Sequence, residues 1–437
     1  MSSIDRRSFL RSAAAGAAAI SAPRFLSAAA RRDPLRVALI GVGGIGNAHR
    51  GAMESLGQKI AFLCDVDLTR VADAAKKHPD AKVLQDYRKL FDKHRGEIDA
   101  VFVGTPDHHH YPATKIALDL GIHAYTQKPL TQTVGEARRL AEAASKSKAA
   151  TQMGNQGHAN DHWRRLIELV RSGNLGAIVE THTWTNRPVW PQGVGRPEGE
   201  DAIPAHLDWD VWCGPAPKRS FKAGVYHDFK WRGWWDFGAG ALGDMACHTM
   251  DGVFWALEPG HCESVEPLAI EDKTDETFPK RSKLRWRFAK NAWRPAFDAY
   301  WYDGGLRPEI PPALGDAKIP NTGNLLIFEK AVVMMGGDYG SDMSVFPVKE
   351  GATIETPPQS LPSSPGHYQE FLLACRGEGK ALSNFAYAGP MCETILLGNV
   401  AVRLGQKLEW DGPAMKVKNV DEANEFLWRE PREGWRV

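Results

Sequence analysis

Residues 35–46 read Leu-Arg-Val-Ala-Leu-Ile-Gly-Val-Gly-Gly-Ile-Gly, and they decide the fold. The first six form a short apolar run rich in strand formers. The pattern Gly41-x-Gly43-x-x-Gly46 follows at once, and then a helix-compatible stretch from Asn47 to Leu56. Strand, glycine turn and helix in that order are the setting in which this motif is informative. Gly41 permits the tight turn, Gly43 lets the backbone approach a pyrophosphate, and Gly46 lets helix and strand pack closely. Gly44 and Ile45 complete the turn, and the helix N-terminus beyond it faces the phosphates with unpaired N–H groups.

Moving outward, residues 59–64 form a second apolar strand ending in Asp65, nineteen residues after Gly46. A carboxylate there is expected to bind the adenosine ribose hydroxyls and to repel a 2′-phosphate, which predicts NAD rather than NADP. The alternation continues with strands over 98–104, 122–126 and 150–153 and helices over 111–120 and 134–147. Strands alternating with helices predict a doubly wound parallel sheet, an α/β Rossmann domain spanning residues 33–155. Ligands in such sheets lie beyond the carboxyl ends of the strands. The polar motifs Thr105-Pro106-Asp107-His108-His109-His110, Gln127-Lys128-Pro129 and Gly154-Asn155-Gln156 all stand at such ends.

Residues 1–32 carry Asp5-Arg6-Arg7-Ser8-Phe9-Leu10-Arg11, then an Ala/Gly-rich apolar run and small residues. This is the pattern of a twin-arginine export signal, so the mature protein is expected in the periplasm or otherwise exported. In the full chain 54 basic residues face 53 acidic ones, a net charge of +1 that favours neither nucleic acid nor an anionic membrane. Past the N-terminus the sequence suggests no membrane span. Six cysteines show no CxxC or zinc-like spacing. The three adjacent histidines are not read as a metal site, because alternate side chains would point apart and no carboxylate cluster accompanies them.

The second part, residues 156–437, opens with alternating segments over 177–186, 282–289, 325–328 and 331–335. They predict an open, mostly antiparallel sheet covered by helices, two of them over 364–375 and 390–404. Of 15 tryptophans, eight (184, 190, 209, 212, 231, 234, 235 and 255) crowd into one stretch, mostly a long insertion over 187–236. Indoles stack on the C–H faces of sugar rings, so this cluster points to a carbohydrate, with Trp234 and Trp235 as candidate contacts and most of the others as packing. Tyr302 and Asp303 are further candidates from a later loop. Before the helical stretch Asp244–His248 stands Gly238-Ala239-Gly240-Ala241-Leu242-Gly243. If residues from 243 on are helical, Asp244 and His248 share one face.

Taken together, GVGGIG, CDVD, VGTPDHHHYPA, QKPL, MGNQGH and GAGALGDMACHTMD resemble the Gfo/Idh/MocA oxidoreductases, a likeness that extends to NVAVRLGQKLEW and EANEFLWREPREGW near the end. The resemblance implies an NAD-dependent enzyme acting on CH–OH groups of carbohydrates. It implies that Lys128 is the catalytic lysine of an E-K-P motif in which Gln127 replaces the glutamate. It makes His248 the general base, with Asp244 binding a neighbouring hydroxyl or orienting the imidazole and Asp251 a structural partner. Thr105, Pro106 and His108 would line the NAD site, His110 would approach the nicotinamide, and Asn155 and Gln156 would close the site around it. Homo-oligomers are expected by the same likeness. An alternative is a redox-neutral glycosidase or lyase that keeps NAD bound and oxidises its glycoside only transiently.

Overall fold

The computed structural model describes residues 33–437; the predicted export signal lies outside the described residues. Strand β1 (Arg36–Ile40) is buried along almost its whole length, as a central parallel strand covered on both faces must be. After the glycine turn come α1 (Ile45–Ser55), β2 (Lys59–Cys64), α2 (Leu68–Lys77), β3 (Lys82–Leu84), α3 (Tyr87–His94), β4 (Ala100–Val103), α4 (His110–Asp119), β5 (His123–Thr126), α5 (Val134–Lys146) and β6 (Thr151–Met153). All pairings are parallel and the order is β3-β2-β1-β4-β5-β6. This is the doubly wound Rossmann arrangement, whose strand order reverses between β1 and β4 and opens a crevice there. Local sequence sets the helix starts. Asp67 and Asp86 cap α2 and α3, and Thr133 with Glu136 forms a capping box on α5.

Two glycines of the turn are sterically obligatory. Gly41 has φ +84°, and a Cβ on it would meet the Gly104 carbonyl carbon at 2.7 Å. A Cβ on Gly46 would lie 2.1 Å from the Gly41 oxygen. Helix α1 starts at Ile45, two residues before the stretch read as helical from the sequence.

Beyond the first sheet come α6 (Asp161–Arg171), β7 (Ile178–Trp184), the short α7 (Trp209–Cys213), α8 (Gly240–Thr249), α9 (Asp251–Leu257), β8 (Cys262–Glu271), β9 (Arg281–Phe288), β10 (Phe297–Tyr302), β11 (Gly323–Phe328), β12 (Ala331–Gly336) and β13 (Asp342–Pro347). Helices α10 (His367–Cys375) and α11 (Phe385–Leu404) and strands β14 (Leu408–Asp411) and β15 (Lys416–Val417) complete the chain. A nine-stranded sheet runs β13-β12-β11-β7-β10-β9-β8-β14-β15, antiparallel except for β7 beside β10. The mostly antiparallel sheet expected from sequence is thus present, with five more strands than the four alternating segments indicated.

Helix α11 corrects one expectation. It is 20 residues long and apolar enough to pass for a membrane span, but most of it is buried in the protein. Gly389 packs on Ala141 of α5, and Gly398 packs on Trp286 of β9 and Leu242 of α8. Its start lies five residues before Pro390 because Asn384 caps the Ala386 N–H at 3.0 Å, so the proline falls inside the helix.

Candidate functional site: a cavity between the glycine turn and the α8 helix

A cavity of about 450 Å³ opens where the strand order of the first sheet reverses. Its floor is the glycine turn with Asp65, Thr105 and Pro106, and its far wall carries Lys128, Asp244 and His248. Gln127 and Gln156 border it as well. The loop after β5 thus delivers Lys128 to the same space as α8, which starts at Gly240, three residues earlier than the sequence suggested. The Lys128–Pro129 peptide is cis.

Lys128 Nζ donates to Asp244 Oδ1 at 2.8 Å and to the Asp244 carbonyl at 2.9 Å. Asp244 therefore stands beside the lysine, whose neighbour in sequence is Gln127. Arg232 Nε donates to the same Oδ1 at 3.1 Å. Burial alone would raise the Asp244 pKa, but Lys128 and then Arg232 outweigh it and hold the carboxylate well below its ordinary range. His248 moves the other way. Burial and the Lys128 charge push its pKa well below 6.5, so the imidazole is neutral at pH 7. Its Nδ1 is buried without a partner, and its ring meets Tyr339 edge-on at 4.7 Å. A neutral, under-satisfied imidazole beside an ammonium is equipped to accept a proton from a group the ammonium holds.

Sequence reasoning passed over Asp107. It is 3% exposed, lines the cavity, and burial pushes its pKa up to about 8 against the pull of Arg232. It stands in Thr105-Pro106-Asp107-His108, beside three histidines that are the more conspicuous site candidates by residue type. Trp190, Trp212 and Trp231 of the tryptophan-rich stretch line the cavity too, together with Arg187 and Arg232.

Several candidates lie elsewhere. The two ring nitrogens of His108 lie 3.1 and 2.9 Å from the carbonyl oxygens of Phe237 and Trp212, so the ring is spent tying the Rossmann domain to the insertion. Those of His110 lie 2.7 and 2.9 Å from the Pro129 and Thr105 carbonyls. His110 therefore joins the loops after β4 and β5 and does not border the cavity. Asn155 is buried behind the wall and its Oδ1 accepts from Ser383 at 2.6 Å. Trp234 is 2% exposed inside a cluster with Tyr226 and Phe237, and Trp235 packs on Phe278. Neither tryptophan reaches the cavity, because the insertion needs an aromatic core of its own. Tyr302 belongs to a separate cluster on the second sheet, with its hydroxyl 3.0 Å from His182 Nδ1. Gly46 acts through close packing rather than by bordering the space.

The crevice suits a dinucleotide. The Gly43 position admits no side chain beside Arg70, Gly44 at φ +51° has open space around it, and Thr105 Oγ1 is a buried hydroxyl without a protein partner. Asp65 Oδ2 accepts from the Val42 N–H at 2.8 Å, which holds the carboxylate at the end of β2 where a ribose is bound in this fold.

Comparison with known proteins agrees with this geometry. The model described as "Oxidoreductase family, NAD-binding Rossmann fold" matches residues 35–155, and "Oxidoreductase family, C-terminal alpha/beta domain" matches residues 164–290. Inositol 2-dehydrogenase of Arthrobacter sp. (strain FB24) is 29% identical over 164 residues, 37% of this chain and 48% of that protein. Glycosyl hydrolase family 109 protein 2 of Shewanella sp. (strain ANA-3) is 29% identical over 210 residues, 41% of this chain and 45% of that protein. The chain therefore spans about half the length of the curated relatives it matches. The WlbA dehydrogenase of Chromobacterium violaceum, solved with NADH and UDP-GlcNAcA, shares the fold with a TM-score of 0.64 at 20% identity, covering 87% of this chain and 97% of that one. With the two models matched in order over residues 35–155 and 164–290, the chain belongs to the Gfo/Idh/MocA family of NAD-binding oxidoreductases.

Proposed function

We propose that the protein oxidises a secondary hydroxyl of a sugar or glycoside. The observation that carries this is the meeting of Lys128, Asp244 and His248 in one cavity whose other end is the glycine turn. Bound NAD supplies the hydride acceptor. The Lys128 ammonium holds the hydroxyl oxygen and stabilises its alkoxide character. Neutral His248 takes the hydroxyl proton. Asp244, kept ionised by two cations, fixes Lys128 and accepts from a second hydroxyl. Trp190 and Trp231 give the sugar ring an apolar wall. The substrate class is supported by the names of the relatives, inositol 2-dehydrogenase among them. The test is a screen of pyranoses and glycosides for nicotinamide reduction by the purified protein. Turnover confined to non-carbohydrate alcohols would overturn the substrate class.

A second reading keeps the same residues but returns the cofactor to its starting state: oxidation, loss of the aglycone, then re-reduction. Similarity to a glycosyl hydrolase family 109 protein supports it. So does the twin-arginine pattern of residues 1–32, which we take as the address of an exported protein, since free NAD is scarce outside the cytoplasm. Solvent deuterium entering the carbon next to the oxidised one, with no net NADH, separates it from a simple dehydrogenase.

A further inference from the structure

The Trp-rich insertion does more than face the sugar. Its residues Trp212, His227, Asp228 and Phe229 line the same cavity as Gly41, Gly43 and Asp65, so they stand across from the end where adenosine binds. This wall is fastened to the Rossmann domain at the tip of β2. The Leu68 N–H donates to the His206 carbonyl at 3.1 Å, and the Asp208 N–H donates to the Val66 carbonyl at 3.0 Å. Side chains repeat the connection. His206 Nδ1 and His227 Nε2 lie 2.8 and 3.0 Å from the two carboxylate oxygens of Asp67. Gln85 Nε2 donates to the Val66 carbonyl at 2.9 Å and the His206 carbonyl at 3.3 Å.

Two features show that the closed arrangement is held rather than incidental. Asp228 adopts φ +104°, a conformation L-residues rarely accept, and it is paired there with Arg70. Arg70 in turn lies over the glycine turn, its Nη1 2.3 Å from where a Gly43 Cβ would be. Backbone strain of this kind persists where its surroundings over-determine it, and it gathers at ligand clamps. The insertion is also packed against itself and tied to the end of the chain. Trp209 and Trp212 stack at 4.4 Å, and Arg432 of the C-terminal tail donates to the Gly214 carbonyl at 3.0 Å.

We infer that the segments around residues 206–208 and 227–229 form a clasp over the adenosine half of the dinucleotide, making NAD(H) a resident group that does not exchange at each turnover. The inference rests on the proposed oxidoreductase reading and narrows it, because a resident cofactor must be returned to its starting state within the same site by a second half-reaction.

The test uses full-length protein purified without added nucleotide, with isotope-labelled NAD then added in excess and the bound pool followed by mass spectrometry. Wild type is expected to carry NAD(H) through gel filtration and to exchange it slowly. Asp67→Ala, which unfastens both histidines, is expected to exchange at least about tenfold faster, as does a lid whose opening limits release. Arg70→Met cuts a tie on the surface and serves if Asp67→Ala does not fold. Wild-type exchange as fast as a turnover, or wild-type rates in the folded variants, overturns the clasp while leaving the oxidoreductase reading intact. Absence of any NAD(H) binding by calorimetry overturns that reading itself.

Discussion

The two ends of the cavity use the same device with different partners. At the chemical end Asp244 is held by Lys128 and Arg232, an ammonium and a guanidinium. At the adenosine end Asp67 is held by the imidazoles of His206 and His227 and by Thr69, with Arg70 3.8 Å away. Both aspartates join the Rossmann domain to the second part of the chain. Lys128 and Arg232 keep Asp244 charged despite burial, whereas burial and the Lys128 charge leave the nearby His248 neutral, which creates an acid–base difference within one wall. At the other end burial also works to raise the Asp67 pKa, but hydrogen bonds from Thr69 and the two imidazoles hold it down to about 2. Each aspartate is thus kept ionised by the groups around it in spite of its burial.

The largest expected effect comes from removing the ammonium. Lys128→Ala should depress turnover by about 10³-fold while NAD still binds, since the glycine turn is untouched. Steady-state kinetics beside calorimetry checks this, and normal turnover would take Lys128 out of the chemistry. Next, Trp234→Ala should cost about 3 kcal/mol of stability, because the indole is enclosed by the insertion core. Sugar KM should stay near wild type in the folded fraction, and Trp231→Ala should raise it instead. A KM change confined to Trp234→Ala would reverse the assignment of wall and core.

Replacing the base, His248→Asn should lower turnover by about 10²-fold and flatten its acid limb. An unchanged pH profile would assign the proton to another group. The smallest effect separates the two carboxyls of the chemical end. Asp107 has a folded pKa of about 8 against an ordinary 3.8, so the native state holds a proton that the unfolded chain releases. Stability from this group is full below about pH 4 and falls as pH rises towards 8. Asp107→Asn copies the neutral form, so its melting temperature should exceed that of wild type by a few degrees at pH 8 and by less at pH 5. Equal melting curves at both values would mean that Asp107 is ionised.

Much of the first sheet was legible in the order of the residues. The runs at 35–40, 59–64, 98–104, 122–126 and 150–153 are buried parallel strands with few polar interruptions, and glycine and proline mark their ends. The short β3, with two of its three residues exposed, carried no such signal. In the second sheet β8 and β10 escaped notice because glutamates, a proline and an aspartate interrupt them. Their partners are distant in sequence, and pairing between strands supplies what local pattern lacks. The histidines after β4 stand at a strand end where a ligand is expected, but all three rings lie against carbonyls that arrive from elsewhere in the chain.

What the sequence determined by itself was therefore local: the glycine turn, the acid at the end of β2, and the residue types able to hold a hydroxyl and move a proton. These come from backbone sterics and side-chain chemistry within a few residues. Only the tertiary structure decided which tryptophans face the cavity, which buried aspartate stays charged, and that the insertion fastens onto Asp67. Each of those depends on groups more than a hundred residues apart in the chain meeting at short range, where burial and Coulomb forces are strong and sequence spacing is silent.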